Sequence, residues 1–385
     1  MFNSSKFNLS VGTVLSFELL EGIAGEDELK ASFLAASAPA IGQEINFSFE
    51  DEFFNGIVTE CAEEPSGKGF SRFVLCAKTL RHALNKEKKC AVYCHTDVES
   101  IIRSLGISAK LHSFYEVDFK IQYNESDLKF LQRLLEEHGI IEFAKHSEGG
   151  SELVISDGDY FEERELNLAK TRLHATENGN FFLGYGHSPL RPGTAVNAFG
   201  ETFIVCSAFH IGSQEAAFGL KGKIDGYTCQ IAAFSKRMLK KLPLSKAKPQ
   251  VPGVMVAKVG GFKGSFASLD DKGRYIVSMA FGELASYPVH LAQNFDGVHF
   301  PLKKDTSVLL GFEEGDIDRP VALGVLPEAS PVSKNNSHQN ILRTSSGIKL
   351  VFDDSTGSLD IEAPADISVK AGGKLVLQGK IVEIN

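Results

Sequence analysis

The stretch GSLDIEAPADISVKAGGKLVLQG, residues 357–379, carries a repeat of eight residues. In each repeat two apolar residues stand two positions apart, which is the period of a β-strand with one buried face. Strands this short do not form a stable sheet by themselves, so the apolar face needs a partner outside the repeat. The apolar positions are Leu359, Ile361, Ile367, Val369, Leu375 and Leu377.

A repeat that buries only one side of each strand requires neighbouring chains. If three chains wind about a common axis, the apolar pairs of each chain face that axis, and every strand edge finds a partner in another chain. We therefore predict that residues 344–385 form a homotrimeric β-prism, with the six apolar positions of the repeat on its axis.

The length and charge of the chain limit the class of protein. With 385 residues, of which 43% are hydrophobic, the chain is long enough for two or three domains with their own cores. The net charge of −9 argues against an extended phosphate-binding surface, so we predict no nucleic-acid partner. Neither a membrane span nor a secretory signal is predicted, which indicates a protein made in the cytoplasm.

The cysteines do not form a metal-binding pattern. All six lie in the first 230 residues and are predicted to be reduced and buried. The one cluster with suggestive spacing is Cys90, Cys94 and His95, and the second ligand pair that a zinc site needs is missing. We predict no metal site and no cofactor.

No catalytic motif stands out either. The chain lacks the GxSxG, HExxH, P-loop and dinucleotide fingerprints. Two short stretches could supply acid, base or metal groups, namely EEHG at residues 136–139 and EFAKH at residues 142–146. We interpret them as solvated polar positions, at a helix end and on an alternating strand. The sequence therefore predicts a protein that is not an enzyme.

The pattern along the chain divides it into five segments. Residues 1–240 combine short alternating strands with two amphipathic helices, residues 241–252 form a linker, and residues 253–330 contain five short strands. Five strands of this length are typical of a small closed barrel of the OB type. A joint at 331–343 then leads to the repeat tail at 344–385.

The helix ends are predicted from capping residues. Thr96 and Glu99 fit a capping box, and Gly106 follows the last turn of that helix. Asn124 is the predicted cap of the second helix, which Gly139 ends. Both helices have an apolar stripe that predicts docking on a sheet.

Several stretches, in this order, resemble the VgrG family, the spike proteins of type VI secretion systems, which are similar to a fusion of the hub and needle proteins of contractile-tailed phages. They are FNGIVTECAEE (54–64), YNESDLKFLQRLLEEHGIIEFAKHSEGGSELVISD (123–157), RPGTAVNAFGETFIVCSAFH (191–210), DDKGRYIVSMAFGE (270–283), HFPLKKDTSVLLGFEEGDIDRPVALGVL (299–326) and SSGIKLVFDD (345–354). The resemblance implies a mainly β fold with some α: a hub-like β-barrel domain with two helices, an OB-fold barrel and a C-terminal trimeric β-prism needle.

The resemblance also implies a function. It implies a structural homotrimeric spike at the tip of a contractile injection machine, seated on the tube and piercing a target membrane mechanically. The implied partners are a hexameric tube protein of the Hcp kind, a PAAR-type tip protein, baseplate components and secreted effectors. The implied localisation is cytoplasmic during assembly, followed by secretion through the machine.

Three alternatives stay open at this point. One is the spike of a phage-tail-like particle. Another is an oligosaccharide-binding OB-fold module, which predicts a monomer and leaves the repeat unexplained. The third is an enzyme, since related phage needles can carry a cell-wall-degrading domain between barrel and needle. Because only residues 331–343 separate the two here, no such domain fits.

Overall fold

The computed structural model describes residues 7–25, 27–64, 71–158, 161–218, 226–241, 248–263, 266–279, 286–293, 297–327 and 337–383. The chain forms two compact units, Met1–Gly324 and Val325–Asn385. Parts of the predicted linker and joint, residues 242–247 and 331–336, lie outside the described residues. The five finer segments stay predictions.

Strands dominate the chain. They are β1 Phe7–Leu9, β2 Thr13–Gly22, β3 Glu28–Ala35, β4 Glu44–Phe49, β5 Glu52–Glu64, β6 Ser71–Lys78, β7 Lys88–Asp97, β8 Glu116–Ser126, β9 Ile141–Ser147, β10 Gly150–Ser156, β11 Glu162–Glu163, β12 Lys170–Thr176, β13 Gly179–Gly186, β14 Thr194–Ala198, β15 Glu201–Ser213, β16 Gly226–Ser235, β17 Met255–Val259, β18 Phe262–Lys263, β19 Phe266–Ala267, β20 Tyr275–Met279, β21 Ser286–Leu291, β22 Ser307–Phe312, β23 Pro320–Val325, β24 Gln339–Arg343, β25 Lys349–Asp353 and β26 Ser358–Glu362. The two α-helices are α1 Val98–Ser104 and α2 Asp127–Glu137.

Twelve strands of the first unit form one sheet. Its main path runs β1-β4-β5-β6-β3-β2-β15-β16-β13-β12, and β11 and β14 join it beside β15. Alternate residues of these strands, such as Phe17 in β2 and Phe33 in β3, fill the largest core and are almost completely buried. This is the arrangement that the alternating sequence predicts, because successive side chains of a strand point to opposite faces.

The two helices lie in a layer with the antiparallel pair β7–β8, which α1 connects, and the hairpin β9–β10. Helix α1 begins after Asp97, whose carboxylate accepts from the backbone N–H of Ser100 at 2.9 Å and from its hydroxyl at 2.6 Å. The predicted capping role of Thr96 is wrong, because Thr96 still pairs with Val117 in the β7–β8 ladder. Gly106 follows the helix with a φ of 78°, as its predicted role requires.

Helix α2 also begins later than predicted. Ser126 is its cap and accepts from the N–H of Lys129, whereas Asn124 lies in β8 with a φ of 47°. The predicted Asn124 cap is therefore wrong. Gly139 ends this helix with a φ of 65°. In the described part of the chain, no helix is long and apolar enough to span a membrane.

Strands β17, β20, β21, β23 and β22 close into a small barrel. Its core includes Val277, Val308 and Ile317, all fully buried. These are the five strands that the sequence predicts, so the small closed barrel is confirmed, as is the mainly β fold with two helices.

The second unit contains a three-stranded antiparallel sheet, β24-β25-β26. Beyond Glu362, the described residues 363–383 contain no strand. Val351 is the one buried residue among the described residues of this unit, 325–327 and 337–383. The unit therefore has almost no core of its own.

Candidate functional site

The six repeat residues lie on the surface of the second unit. Each is between 52% and 73% exposed. Leu359 and Ile361 lie in β26, and the other four lie in the segment 363–383, which has no strand. Their position on a trimer axis stays a prediction.

The three-stranded sheet extends this apolar surface. In its register Phe352 is opposite Leu359, and Leu350 is opposite both Leu342 and Ile361. Directly opposite residues of antiparallel strands share a face, so these five side chains lie on one side of the sheet. Four of the five are 44–58% exposed. A contiguous apolar face of this kind marks a surface that binds protein.

The first unit contains a buried polar network around Glu21 and Arg191. Arg191 Nε donates to Glu21 Oε2 at 2.9 Å, and its Nη2 donates to Glu21 Oε1. His210 Nε2 lies 3.2 Å from Glu21 Oε2, and the ring is fully buried. Burial alone would raise the pKa of Glu21, but Arg191 and His210 hold this pKa well below its usual range. The group is a buried carboxylate that depends on its two cationic neighbours.

A second part of the network joins the helical layer to the sheet. Arg81 donates to Asp27 Oδ1 at 3.1 Å and to Glu142 Oε2 at 2.5 Å. Gln132 of α2 donates to Glu142 Oε1 and to the carbonyl of Ala24, each at 3.0 Å. Burial raises the pKa of Asp27 to about 7, since it outweighs the attraction of Arg81. The network fixes α2 and β9 on the turn between β2 and β3.

The prediction that Glu142 and His146 are solvated is wrong. Glu142 is 1% exposed and the side chain of His146 is fully buried. The alternating pattern of β9 is typical of a strand with one buried and one solvated face, but both faces of this strand are covered. No local signal distinguishes the two cases, because Arg81, the partner of Glu142, is distant in sequence.

One group among the described residues brings possible metal ligands together, with ligand atoms of Glu21, Asp27 and His146 within 4.8 Å of one another. The residues do not fit an ion. His146 Nδ1 accepts from the N–H of Asn55 at 3.1 Å, so the neutral ring carries its proton on Nε2, which lies on the side of Glu21. Burial, together with Arg191 and Arg81, lowers the pKa of His146 to about 3 and keeps this ring neutral.

Both carboxylates of that group already pair with an arginine, which removes the negative charge that would attract a cation. The cluster is therefore suited to hold the layers together. Cys90 and Cys94, the cysteines of the cluster with suggestive spacing, lie partly buried in β7.

The barrel is anchored to the helical layer by Asp318, which lies just before β23. Asp318 accepts from the backbone N–H of Ile121 at 2.9 Å, from Arg133 at 2.8 Å and from Lys120 at 2.8 Å. The side chains of Asp318, Arg133 and Lys120 are each less than 10% exposed. The contact joins residues almost 200 positions apart, so sequence patterns did not reveal it.

The fold and its comparisons define a class of protein. Residues 28–181 match the family model of the phage tail baseplate hub (GPD). This segment runs from β3 into β13 and includes both helices, together with Arg81, Gln132 and Glu142 of the polar network. This part of the first unit is thus similar to a phage tail baseplate hub.

More particular relatives are spike proteins. The type VI secretion system spike proteins VgrG1c and VgrG1a of Pseudomonas aeruginosa are each 26% identical to this chain, over 162 and 163 residues. The matches cover 36% of this chain but only 22% and 25% of those relatives. The aligned part therefore spans about a quarter of the length of these relatives.

Two solved structures share the fold. The E. coli c3393 protein, described as a component of the type VI secretion system with structural similarity to the phage T4 tail proteins gp27 and gp5, matches with a TM-score of 0.67 at 19% identity, over 83% of this chain and all of that one. A chain of the Francisella PdpA–VgrG complex matches with a TM-score of 0.57 at 9% identity, over 91% of this chain and 76% of that one. The predicted resemblance to VgrG spike proteins is confirmed.

Proposed function

We propose that this protein is the homotrimeric spike at the tip of a contractile injection machine of the type VI secretion kind. The observation that carries the proposal is the exposed apolar surface of the second unit, in a chain whose first unit has the fold of a tail hub. The spike is a structural part and not an enzyme.

The second unit supports the trimer because it lacks the means to stabilise itself. Its described residues have a single buried member, Val351, while the repeat leaves an apolar residue exposed at each of six positions. A segment of this composition requires other chains to cover it. Two further copies of the same repeat offer the matching period, with the six side chains of each copy on the common axis.

The other roles in the proposal follow from the resemblance to the VgrG family. The hub seats on a hexameric tube ring of the Hcp kind and contacts baseplate components, and the needle carries a PAAR-type tip protein and effectors through the target membrane. The spike is assembled in the cytoplasm and leaves through the machine. The anchoring of the barrel by Asp318 supports a hub and barrel that move together under axial load.

A light-scattering mass of the full chain and of a copy that ends at residue 340 tests the proposal. The full chain is expected to have a mass of about three times 41.9 kDa. The shortened copy is expected to contain fewer than three chains. A monomer in both cases contradicts the proposal and favours a single-chain binding module.

The spike of a phage-tail-like particle is the second candidate, and the match of residues 28–181 to the phage baseplate hub favours it. Both candidates predict the trimer. They differ in the tube protein that the hub binds, so binding of the purified trimer to rings of a type VI tube protein and of a phage tail tube protein distinguishes them.

A further inference from the structure

Strand β10 has one free edge. It pairs with β9 along its whole length, from Gly150 to Ser156, and no other strand in the described part of the chain pairs with it. A free edge presents a row of backbone N–H and C=O groups, which is the chemistry that binds another extended chain.

A cleft of about 430 Å³ lies against this edge. One bank consists of the five consecutive residues 152–156 of β10, and the other consists of residues 108–112. Because successive side chains of a strand point to opposite faces, five consecutive residues line one cleft only where it runs along the edge. Both faces of β10 are occupied, since Leu153 and Ile155 pack on the core under the helices and Val154 packs on a separate cluster.

The opposite bank is held in place without a ligand. Asp157, directly after β10, accepts from the backbone N–H groups of His112 at 2.9 Å and Ser113 at 2.8 Å, and from the Tyr115 hydroxyl at 3.3 Å. Glu99 of α1 accepts from the N–H of Leu111. These hydrogen bonds hold residues 111–113 in a fixed position beside β10. The cleft is therefore already formed before a chain enters it.

The charges and the rim of the cleft indicate what kind of chain fits. Lys110 is exposed on the loop bank and supplies positive charge there, whereas the exposed Glu152 of β10 supplies negative charge on the other bank. Phe114, on the same loop, is 78% exposed, although its neighbours Ser113 and Tyr115 are hydrogen-bonded to Asp157. An exposed aromatic on a fixed loop is the type of residue that dominates binding energy in protein interfaces.

We propose that the β10 edge and residues 108–114 form a docking cleft for an extended segment of a partner protein. The segment adds a strand to β10 through backbone hydrogen bonds, places an acidic side chain toward Lys110, and packs an apolar side chain on Phe114. All residues of this surface belong to one chain.

The test uses the full chain and a blocked, fluorescein-labelled octapeptide of sequence EVTVTVTE, which is extended, apolar at alternate positions and acidic at both ends. Binding is measured by fluorescence anisotropy, and its location by hydrogen exchange with mass spectrometry. The expected result is saturable binding with slower exchange confined to fragments that cover residues 108–114 and 150–156.

Two controls make the test specific. The same peptide with every interior amide N-methylated cannot donate backbone hydrogen bonds, so its binding is expected to be lost. The variant Lys110→Glu is expected to weaken binding about five-fold, whereas Lys129→Glu, a matched charge reversal on an exposed residue of α2, leaves it unchanged. Equal binding of the N-methylated peptide, protection at another surface, or no binding by the parent peptide at millimolar concentration each overturns the proposal.

Discussion

The substitution of Ile367 and Leu375 by aspartate is expected to abolish trimer formation. These side chains are 57% and 52% exposed in the single chain, so roughly half of each is available for burial between chains. Full burial of such a side chain stabilises a protein by about 1.5–3 kcal/mol. Burial of the exposed half of each side chain therefore stabilises the trimer by about 1 kcal/mol. Two positions in three chains thus account for about 6 kcal/mol of apolar contact in the trimer.

The charges add a larger penalty. In the proposed β-prism, each substituted level brings three carboxylates together on an axis without water, and the desolvation of each costs several kcal/mol. The penalty exceeds the contribution of the apolar positions that are left. The hub is expected to stay folded, because neither residue belongs to the first unit.

The assay is light scattering, with circular dichroism to verify the folded hub. The matched control is Ser368→Asp with Gln378→Asp, which places the same charges at exposed positions next to the repeat residues, on the other face of the proposed strands. The control is expected to stay trimeric while the axis variant becomes monomeric. An axis variant that keeps the mass of the control refutes the assignment of the repeat.

Three further predictions concern the first unit. Asp318→Ala removes one carboxylate from buried Lys120 and Arg133, which keep Glu137 and Glu125 as partners, and is expected to lower the free energy of unfolding by about 1.5–3 kcal/mol in urea titrations; a change below about 0.5 kcal/mol contradicts its anchoring role. Folding raises the pKa of Asp27 to about 7, so its contribution to the free energy of unfolding is complete below pH 4 and is lost as the pH rises through about 7. Asp27→Asn is expected to reduce the loss of stability between pH 5 and pH 8. If the variant has the same pH profile of stability as the parent chain, the buried protonated form of Asp27 is contradicted. Asp97→Ala is expected to cost about 1 kcal/mol of stability and Thr96→Ala less than half as much, with the reverse order contradicting the observed cap.

The elements that the sequence predicted well are those with a local period. The five barrel strands and the two helices each carry their alternation or apolar stripe within a few residues, so they were located correctly. The predicted helix caps are wrong by one or two positions. For α1, Thr96 and Asp97 are both good capping residues, and only the pairing of Thr96 with Val117 decides between them.

The polar network could not be predicted, because its partners are distant in sequence. Arg191 and Glu21 are 170 positions apart, and Arg133 and Asp318 are 185 positions apart. Glu142 looked solvated because a strand with alternating polarity usually has one wet face, and the arginine that pairs with it comes from a separate turn. The free edge of β10 could not be predicted from the sequence either, because strand pairing is set by the fold and not by the residues of one strand.

Electron microscopy of the purified full chain tests the central claim most directly. Class averages are expected to show threefold symmetry in end-on views and a narrow projection from a broader base in side views. Particles of the size of one 41.9 kDa chain, without a threefold axis, would contradict the proposed spike.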